Sequence, residues 1–290
     1  MKKQIANFIL LLCCATVAHA QSGIVFETLR LHSDLLKMDR NFAIYLPADY
    51  NETDVSYPVL YLLHGSGDDH TGWVQFGQVR HIADKTIADG LAGPMIIVMP
   101  DANTGRRGYF NDLRGDFNYE DFFFKELIPY IEKNYRVRTE RRYRAVSGLS
   151  MGGGGSLFYA LHHPDMFVAA APLSASTGNW SIDEYKTRLG DAQAKVSEQQ
   201  TEQYFKRHSV EGILDNATAE ELDQIRGVRW YFSIGDDDFL CEGNTRTYLA
   251  FRKNKISLEF RIKDGAHTWT YWRAELPIVM EFVSKSFMQF

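Results

Sequence analysis

Apolar and polar positions alternate between two rhythms along this chain. Val59–Leu63 (VLYLL) and Met95–Met99 (MIIVM) are apolar without interruption. Such runs mark strands covered on both faces, as in a parallel sheet. Phe167–Leu173, Arg229–Ile234 and Leu258–Ile262 read as further strands, and Tyr143–Val146 leads into a glycine-rich turn. Ile24–Leu31 and Asn41–Leu46 are strand-like runs read as a leading antiparallel pair. Between the strands the period changes to that of a helix. Tyr119–Tyr135 carries Phe122, Phe123, Leu127, Ile128 and Ile131 at helical spacing, with acidic residues early in the run. Strands that alternate with helices predict an α/β fold: a mostly parallel central sheet flanked by helices. Sites in such sheets form at the carboxyl ends of the strands.

One stretch breaks this rhythm. Residues 174–227 are polar and helical, with no convincing strand. That is longer than a connection needs. It reads as a helical, cap-like insertion after the strand that follows the glycine-rich helix. The rest of residues 21–290 reads as a single domain, which a chain of 290 residues allows.

The first twenty residues read as an export signal. Lys2 and Lys3 precede a short apolar run, Ile5–Val17, and Ala18-His19-Ala20 supplies a small-x-small cleavage site. Cys13 and Cys14 do not make a lipid-attachment motif, because Leu12 and Cys13 stand where a small residue is required. Removing residues 1–20 takes the net charge from −5 to −7 and leaves Cys241 as the single cysteine. No internal disulfide can then form, so the exported chain has to rest on its apolar core. The acidic balance gives no footprint for nucleic acid. No other segment is long and apolar enough to span a membrane.

Candidate chemistry centres on Gly148-Leu149-Ser150-Met151-Gly152. A G-x-S-x-G between a strand and a small-residue helix is the context of a nucleophile elbow. His64-Gly65-Ser66-Gly67 ends the Val59 strand. A backbone N–H there joins that of Met151 as an oxyanion donor, with Ser66 favoured and Gly65 the alternative. His64 precedes the serine and reads as a structural strand-end residue. The order serine, acid, histidine points downstream. His267 follows the Leu258 strand, whereas His208 lies in the insertion. Gly235-Asp236-Asp237-Asp238 offers three acids. Spacing leaves that choice open; Asp238 is favoured because the loop needs a few residues to turn. Trp180, Tyr185, Trp269 and Tyr271 are candidates for an aromatic substrate pocket. His162-His163 reads as a poor metal chelate, because adjacent helix positions face different ways. No zinc spacing, P-loop or dinucleotide fingerprint is present, so no metal and no cofactor is expected.

These motifs together resemble the esterase D / feruloyl esterase family of α/β-hydrolases. The likeness covers nearly all of residues 24–290. It is carried by YLLHGSGDDHTGW (61–73), YEDFFFKELIPYIEKNY (119–135), GLSMGG (148–153), HHPDMF (162–167), GDDDFL (235–240) and DGAHTWTYW (264–272). The resemblance implies a serine ester hydrolase with Ser150 as nucleophile, His267 as base and Asp238, the residue closing G-x-x-D, as acid. It implies oxyanion donors at Ser66 and Met151. Feruloyl or acetyl groups on plant cell-wall polysaccharide are the expected substrates. Acyl transfer to a sugar and release of siderophore or short-chain esters are the alternatives, with an inactive carbohydrate-binding relative behind them.

Overall fold

The computed structural model describes residues 22–103, 108–178, 182–189 and 196–288, without the side chains of 184, 185, 188 and 189. The expected signal segment 1–20 lies outside them. The strands are β1 (Ile24–Ser33), β2 (Met38–Leu46), β3 (Val59–Leu63), β4 (Ile96–Pro100), β5 (Arg144–Leu149), β6 (Ala169–Leu173), β7 (Arg229–Gly235) and β8 (Glu259–Lys263). They form one eight-stranded sheet in the order β1-β2-β4-β3-β5-β6-β7-β8. β2 runs antiparallel to both neighbours, and the other pairings are parallel.

The helices are α1 (Gly72–Gln75), α2 (Val79–Ala88), α3 (Tyr119–Phe122), α4 (Ile128–Asn134), α5 (Met151–His162), α6 (Ile182–Leu189), α7 (Glu198–Arg207), α8 (Val210–Asn216), α9 (Ala219–Arg226), α10 (Cys241–Lys253) and α11 (Trp269–Met288). Alternate residues of a strand face opposite sides of the sheet. Tyr61 and Leu63 therefore join one core with residues of α5 and the segment around Phe123. Leu60 and Leu62 join a second core with residues of α2 and α11. With both faces covered, the architecture is the α/β-hydrolase fold that the resemblance implied.

The structure differs from the sequence expectations in local ways. β1 and β2 extend to Ser33 and Met38 because β1 is an edge strand whose outer residues are exposed, so polar side chains cost nothing there. Residues 119–134 are not one α-helix: Phe123–Leu127 is a π-helical turn between α3 and α4. Helices α6–α9 occupy the stretch between β6 and β7. Three of them begin on an oxygen that accepts a backbone N–H: Ser197 from Gln200, Ser209 from Gly212 and Thr218 from Glu221.

These helices are tied to the sheet layer through the adjacent histidines. His162 Nδ1 and His163 Nε2 both reach Glu120 Oε1, at 2.8 and 3.0 Å. The face argument from adjacent helix positions fails because α5 ends at His162, and His163 sits at φ −131°, ψ 59°. His162 Nε2 lies 2.7 Å from the Arg207 carbonyl at the end of α7. No cluster of three or more His, Cys, Asp or Glu suited to a metal occurs among the described residues. Burial pushes the Glu120 carboxyl up, but the two imidazoles outweigh it and hold it far below the ordinary carboxylate range.

A depressed folded-state value stabilises the protein above the unfolded carboxyl pKa, and that stabilisation drains away as the pH falls. Glu120→Gln is expected to lower the Tm at pH 7 by about 5 °C. The gap from wild type narrows below about pH 4, where the unfolded carboxyl protonates. Thermal circular dichroism at both pH values checks this; an equal gap at both contradicts it.

Candidate active site

Ser150 stands between β5 and α5 with φ 55° and ψ −114°, outside the usual conformations of a non-glycine residue. The Ser150 N–H donates to the Leu173 carbonyl at 3.0 Å, and its own carbonyl accepts from Ser176 at 3.0 Å. Helix α5 then leaves directly against the end of β3. A Cβ on Gly152 would lie 2.5 Å from the Leu63 carbonyl oxygen, so only glycine permits this approach. The strained turn is thus over-determined by its neighbours.

His267 Nε2 lies 2.9 Å from Ser150 Oγ. On the other side of the ring, Nδ1 lies 2.8 Å from Asp238 Oδ2. Neutral imidazole has one donor and one acceptor nitrogen. With Nδ1–H donating to the carboxylate, Nε2 is the acceptor for the serine proton. Asp238 is buried, and Leu240 N–H donates to its Oδ1 at 2.9 Å. Burial opposes the charge on Asp238, but the hydrogen bonds from His267, Leu240 and Ser174 outweigh it and hold the carboxyl below its ordinary value.

Of the three acids after β7, only Asp238 reaches His267 among the described hydrogen bonds. Asp236 has a different task. Its Oδ1 accepts the Gly265 N–H at 3.0 Å, and the Asp237 N–H donates to the Gly265 carbonyl at 2.9 Å. The acid loop and the histidine loop are therefore laced together. A Cβ on Gly235 would fall 2.1 Å from the Gly265 carbonyl oxygen, which accounts for glycine there.

The loop after β3 faces the serine. A Cβ on Gly65 would lie 3.6 Å from Ser150 Cβ. The buried His64 accepts the Ala102 N–H at Nε2 (2.9 Å) and so donates from Nδ1 to the Gly65 carbonyl (2.8 Å). Burial also pushes the His64 pKa down, in keeping with a neutral ring. In a trans peptide the C=O and the next N–H point in opposite directions. Holding the Gly65 carbonyl therefore turns the Ser66 N–H away from His64 and leaves it free. Met151 opens α5, so its N–H is one of those without an intrahelical acceptor.

The aromatic candidates divide. Trp180 and the Tyr185 side chain lie outside the described residues. Tyr271 is withdrawn from a pocket: it is buried, and its hydroxyl is 2.7 Å from Ser233 Oγ. Trp269 is half-buried, packed edge-on to Trp73 at 5.2 Å and near the exposed Phe76 at 5.9 Å. Sequence reasoning missed Phe239. It is 77% exposed, and its ring centroid lies 4.6 Å from that of His267. A bulky apolar residue directly after the acid was the available signal. A cavity of about 630 Å³ sits elsewhere, between Leu161 and Pro164 and helices α7–α9. It lies at the far end of α5, about 18 Å along the helix from Ser150, too distant to hold the reacting bond.

A family model for esterases matches residues 33–281. The chain belongs to the Esterase family. Its fold and family are those of carboxylic ester hydrolases. An endo-1,4-beta-xylanase/feruloyl esterase of Xylanibacter ruminicola is 38% identical over 145 residues, 46% of this chain. The chain matches only 19% of that relative's length. An acetyl esterase of Caldicellulosiruptor saccharolyticus is 22% identical over 275 residues, covering 89% of this chain and 97% of the relative. A solved structure of a ferulic acid esterase superposes with a TM-score of 0.80 at 35% identity, covering 91% of this chain and 99% of that one.

Asp238→Asn keeps the shape of the acid but gives His267 Nδ1 a partner that also tolerates the wrong tautomer. A fall in kcat of about 10⁴-fold is expected, with the fold retained. Steady-state hydrolysis beside circular dichroism checks this; a loss under tenfold contradicts the role assigned to Asp238.

Proposed function

We propose that this protein is an exported serine esterase that removes acyl groups from plant cell-wall polysaccharide, with feruloyl or other hydroxycinnamoyl groups first and acetyl groups next. The observation that carries the reading is the single imidazole of His267 standing between Ser150 Oγ at 2.9 Å and Asp238 at 2.8 Å. In the proposed reaction His267 Nε2 takes the Ser150 proton as Oγ attacks the ester carbonyl. The N–H groups of Ser66 and Met151 receive the oxyanion. His267 then protonates the leaving alcohol, and water activated by the same nitrogen releases the acid from the acyl-enzyme. Asp238 fixes the ring and stabilises its charged form.

The hydroxycinnamoyl preference rests on the named likenesses and on the apolar rim of the site. Phe239 offers an exposed ring beside His267, and Trp269, two residues further along, packs near the exposed Phe76; a planar acyl group can pack on such rings. Export rests on the Lys2-Lys3, Ile5–Val17 and Ala18-His19-Ala20 pattern. Among the described residues no helix is long and apolar enough to cross a membrane.

Methyl ferulate and 4-nitrophenyl acetate, given to the chain from residue 21 and to its Ser150→Ala variant, test the proposal. Turnover of both esters is expected, with methyl ferulate preferred in kcat/KM. The variant is expected to lose about 10⁴-fold or more. Acetate turnover alone contradicts the aromatic preference, and activity that survives in the variant contradicts the nucleophile.

A further inference from the structure

A carboxylate stands beside the nucleophile without a donor. Asp68 follows the exposed Ser66-Gly67 tip of the loop after β3, and its N–H donates to the Gly65 carbonyl at 3.3 Å, which closes the turn. A Cβ on Gly65 would lie 3.5 Å from Asp68 Oδ2 and 3.6 Å from Ser150 Cβ, so the carboxylate and the nucleophile flank the same glycine. A Cβ on Gly72 would lie 3.1 Å from Asp68 Cβ and 3.6 Å from Trp269 Cζ2. Asp68 thus stands between the oxyanion turn and the Trp269 ring, and it is half-buried there.

The next acid in the chain is fully engaged. Asp69 Oδ1 accepts both the Thr71 N–H and the Thr71 hydroxyl at 2.7 Å. No hydrogen bond or ion pair from a described residue meets the Asp68 carboxylate. An acceptor left open away from water costs free energy. The acid registers that cost, because burial, and then the charge of Asp69, push its pKa up. Its charge also opposes the negative charge that develops on the ester carbonyl oxygen at the same turn. Proteins keep such uncompensated groups at functional sites. A carboxylate can only accept, so a substrate hydroxyl is what it lacks. An acetyl group carries no hydroxyl, and the phenol of a feruloyl group lies at the far end of the acyl chain from the ester carbonyl. A sugar ester has a hydroxyl on the carbon next to the one that bears the ester. The hydroxyl within reach of Asp68 therefore comes from the leaving alcohol.

We propose that Asp68 is a specificity-determining residue: its open carboxylate accepts a hydroxyl of the leaving alcohol beside the scissile ester, so that the site selects esters of polyhydroxylated alcohols over simple alkyl esters. This rests on the reading of the protein as a serine esterase that acts through Ser150 on sugar esters. The docked hydroxyl covers the charge of Asp68. A polyol ester therefore escapes the repulsion that a simple alkyl ester meets at the oxyanion turn.

The test uses two pairs of esters that differ by one hydroxyl: 2-hydroxyethyl and ethyl ferulate, and 2-hydroxyethyl and ethyl acetate. Wild type, Asp68→Ala, Asp68→Asn and Ser150→Ala are compared. The ratio of kcat/KM within each pair is read, so that a general loss of activity in a variant cancels, as does the difference between the two leaving groups. From wild type to Asp68→Ala the preference for the hydroxyl-bearing ester is expected to fall about tenfold, the effect of one hydrogen bond to a charged group. Asp68→Asn keeps an acceptor without the charge, and its preference is expected to fall about threefold. Having the shape of the native residue, it carries the test if Asp68→Ala does not fold. A preference within twofold of wild type in the folded variants overturns the proposal and leaves the esterase reading standing. A preference that falls as expected on the acetate pair, with no turnover of the ferulates, supports Asp68 and removes only the feruloyl reading. Activity that survives Ser150→Ala, or no turnover of any of the four esters by wild type, removes the underlying reading and the proposal with it.

Discussion

A serine oxygen must project from a buried sheet at a point where a helix begins, and the backbone there has to bend through a conformation that side-chain-bearing residues avoid. Ser150 sits at φ 55°, and its neighbours hold it. β5 is buried on both faces, its end is bonded to β6 through the Leu173 carbonyl, and α5 abuts the end of β3 through Gly152. Any larger residue at 152 would drive α5 off the sheet. Relaxing the turn would also move the Met151 N–H and carry Ser150 Oγ out of reach of His267. The Met151 N–H is therefore set by the same strain that projects Ser150 Oγ, whereas the Ser66 N–H is set by the His64 contact with the Gly65 carbonyl.

The other parts of the site come from loops, yet those loops are fastened to one another. The acid loop and the histidine loop share two hydrogen bonds at Gly265, one through Asp236 Oδ1 and one through the Asp237 N–H. His64 clamps the Gly65 carbonyl from beneath and is itself pinned by Ala102. Such ties let Ser150, His267 and Asp238, drawn from separate loops, keep hydrogen-bond distances. Catalysis that depends on preorganised dipoles needs this rigidity.

Much of this was legible in the sequence wherever burial dictates composition. β3 and β4 are buried on both faces, so their apolar runs are unbroken and unambiguous. Ser150 and His267 stood out as candidates because an elbow needs glycines and a strand before it, and because chain order leaves few histidines; the structure brings the two side chains within 2.9 Å. What escaped depends on which loop faces which. Asp236 and Asp238 have the same side chain, and only the fold assigns one to Gly265 and the other to His267. Phe239 carries no motif, and its place against the His267 ring arises from a neighbour distant in sequence. Adjacent helix positions would turn the two histidines apart, but α5 ends at His162 and both rings reach Glu120. The π-helical turn at Phe123–Leu127 had no signal either, since its apolar spacing also suits a plain helix.

The central claim is that Ser150 is activated by His267 within a preformed site. A reactive phosphonate ester, mixed with the protein in small excess and followed by intact-mass and peptide analysis, tests it most directly. The account predicts one adduct per chain, on Ser150, formed rapidly in the wild type and at least about 10³-fold more slowly in His267→Ala. An adduct on another residue, or labelling of Ser150 at an equal rate without His267, would contradict it.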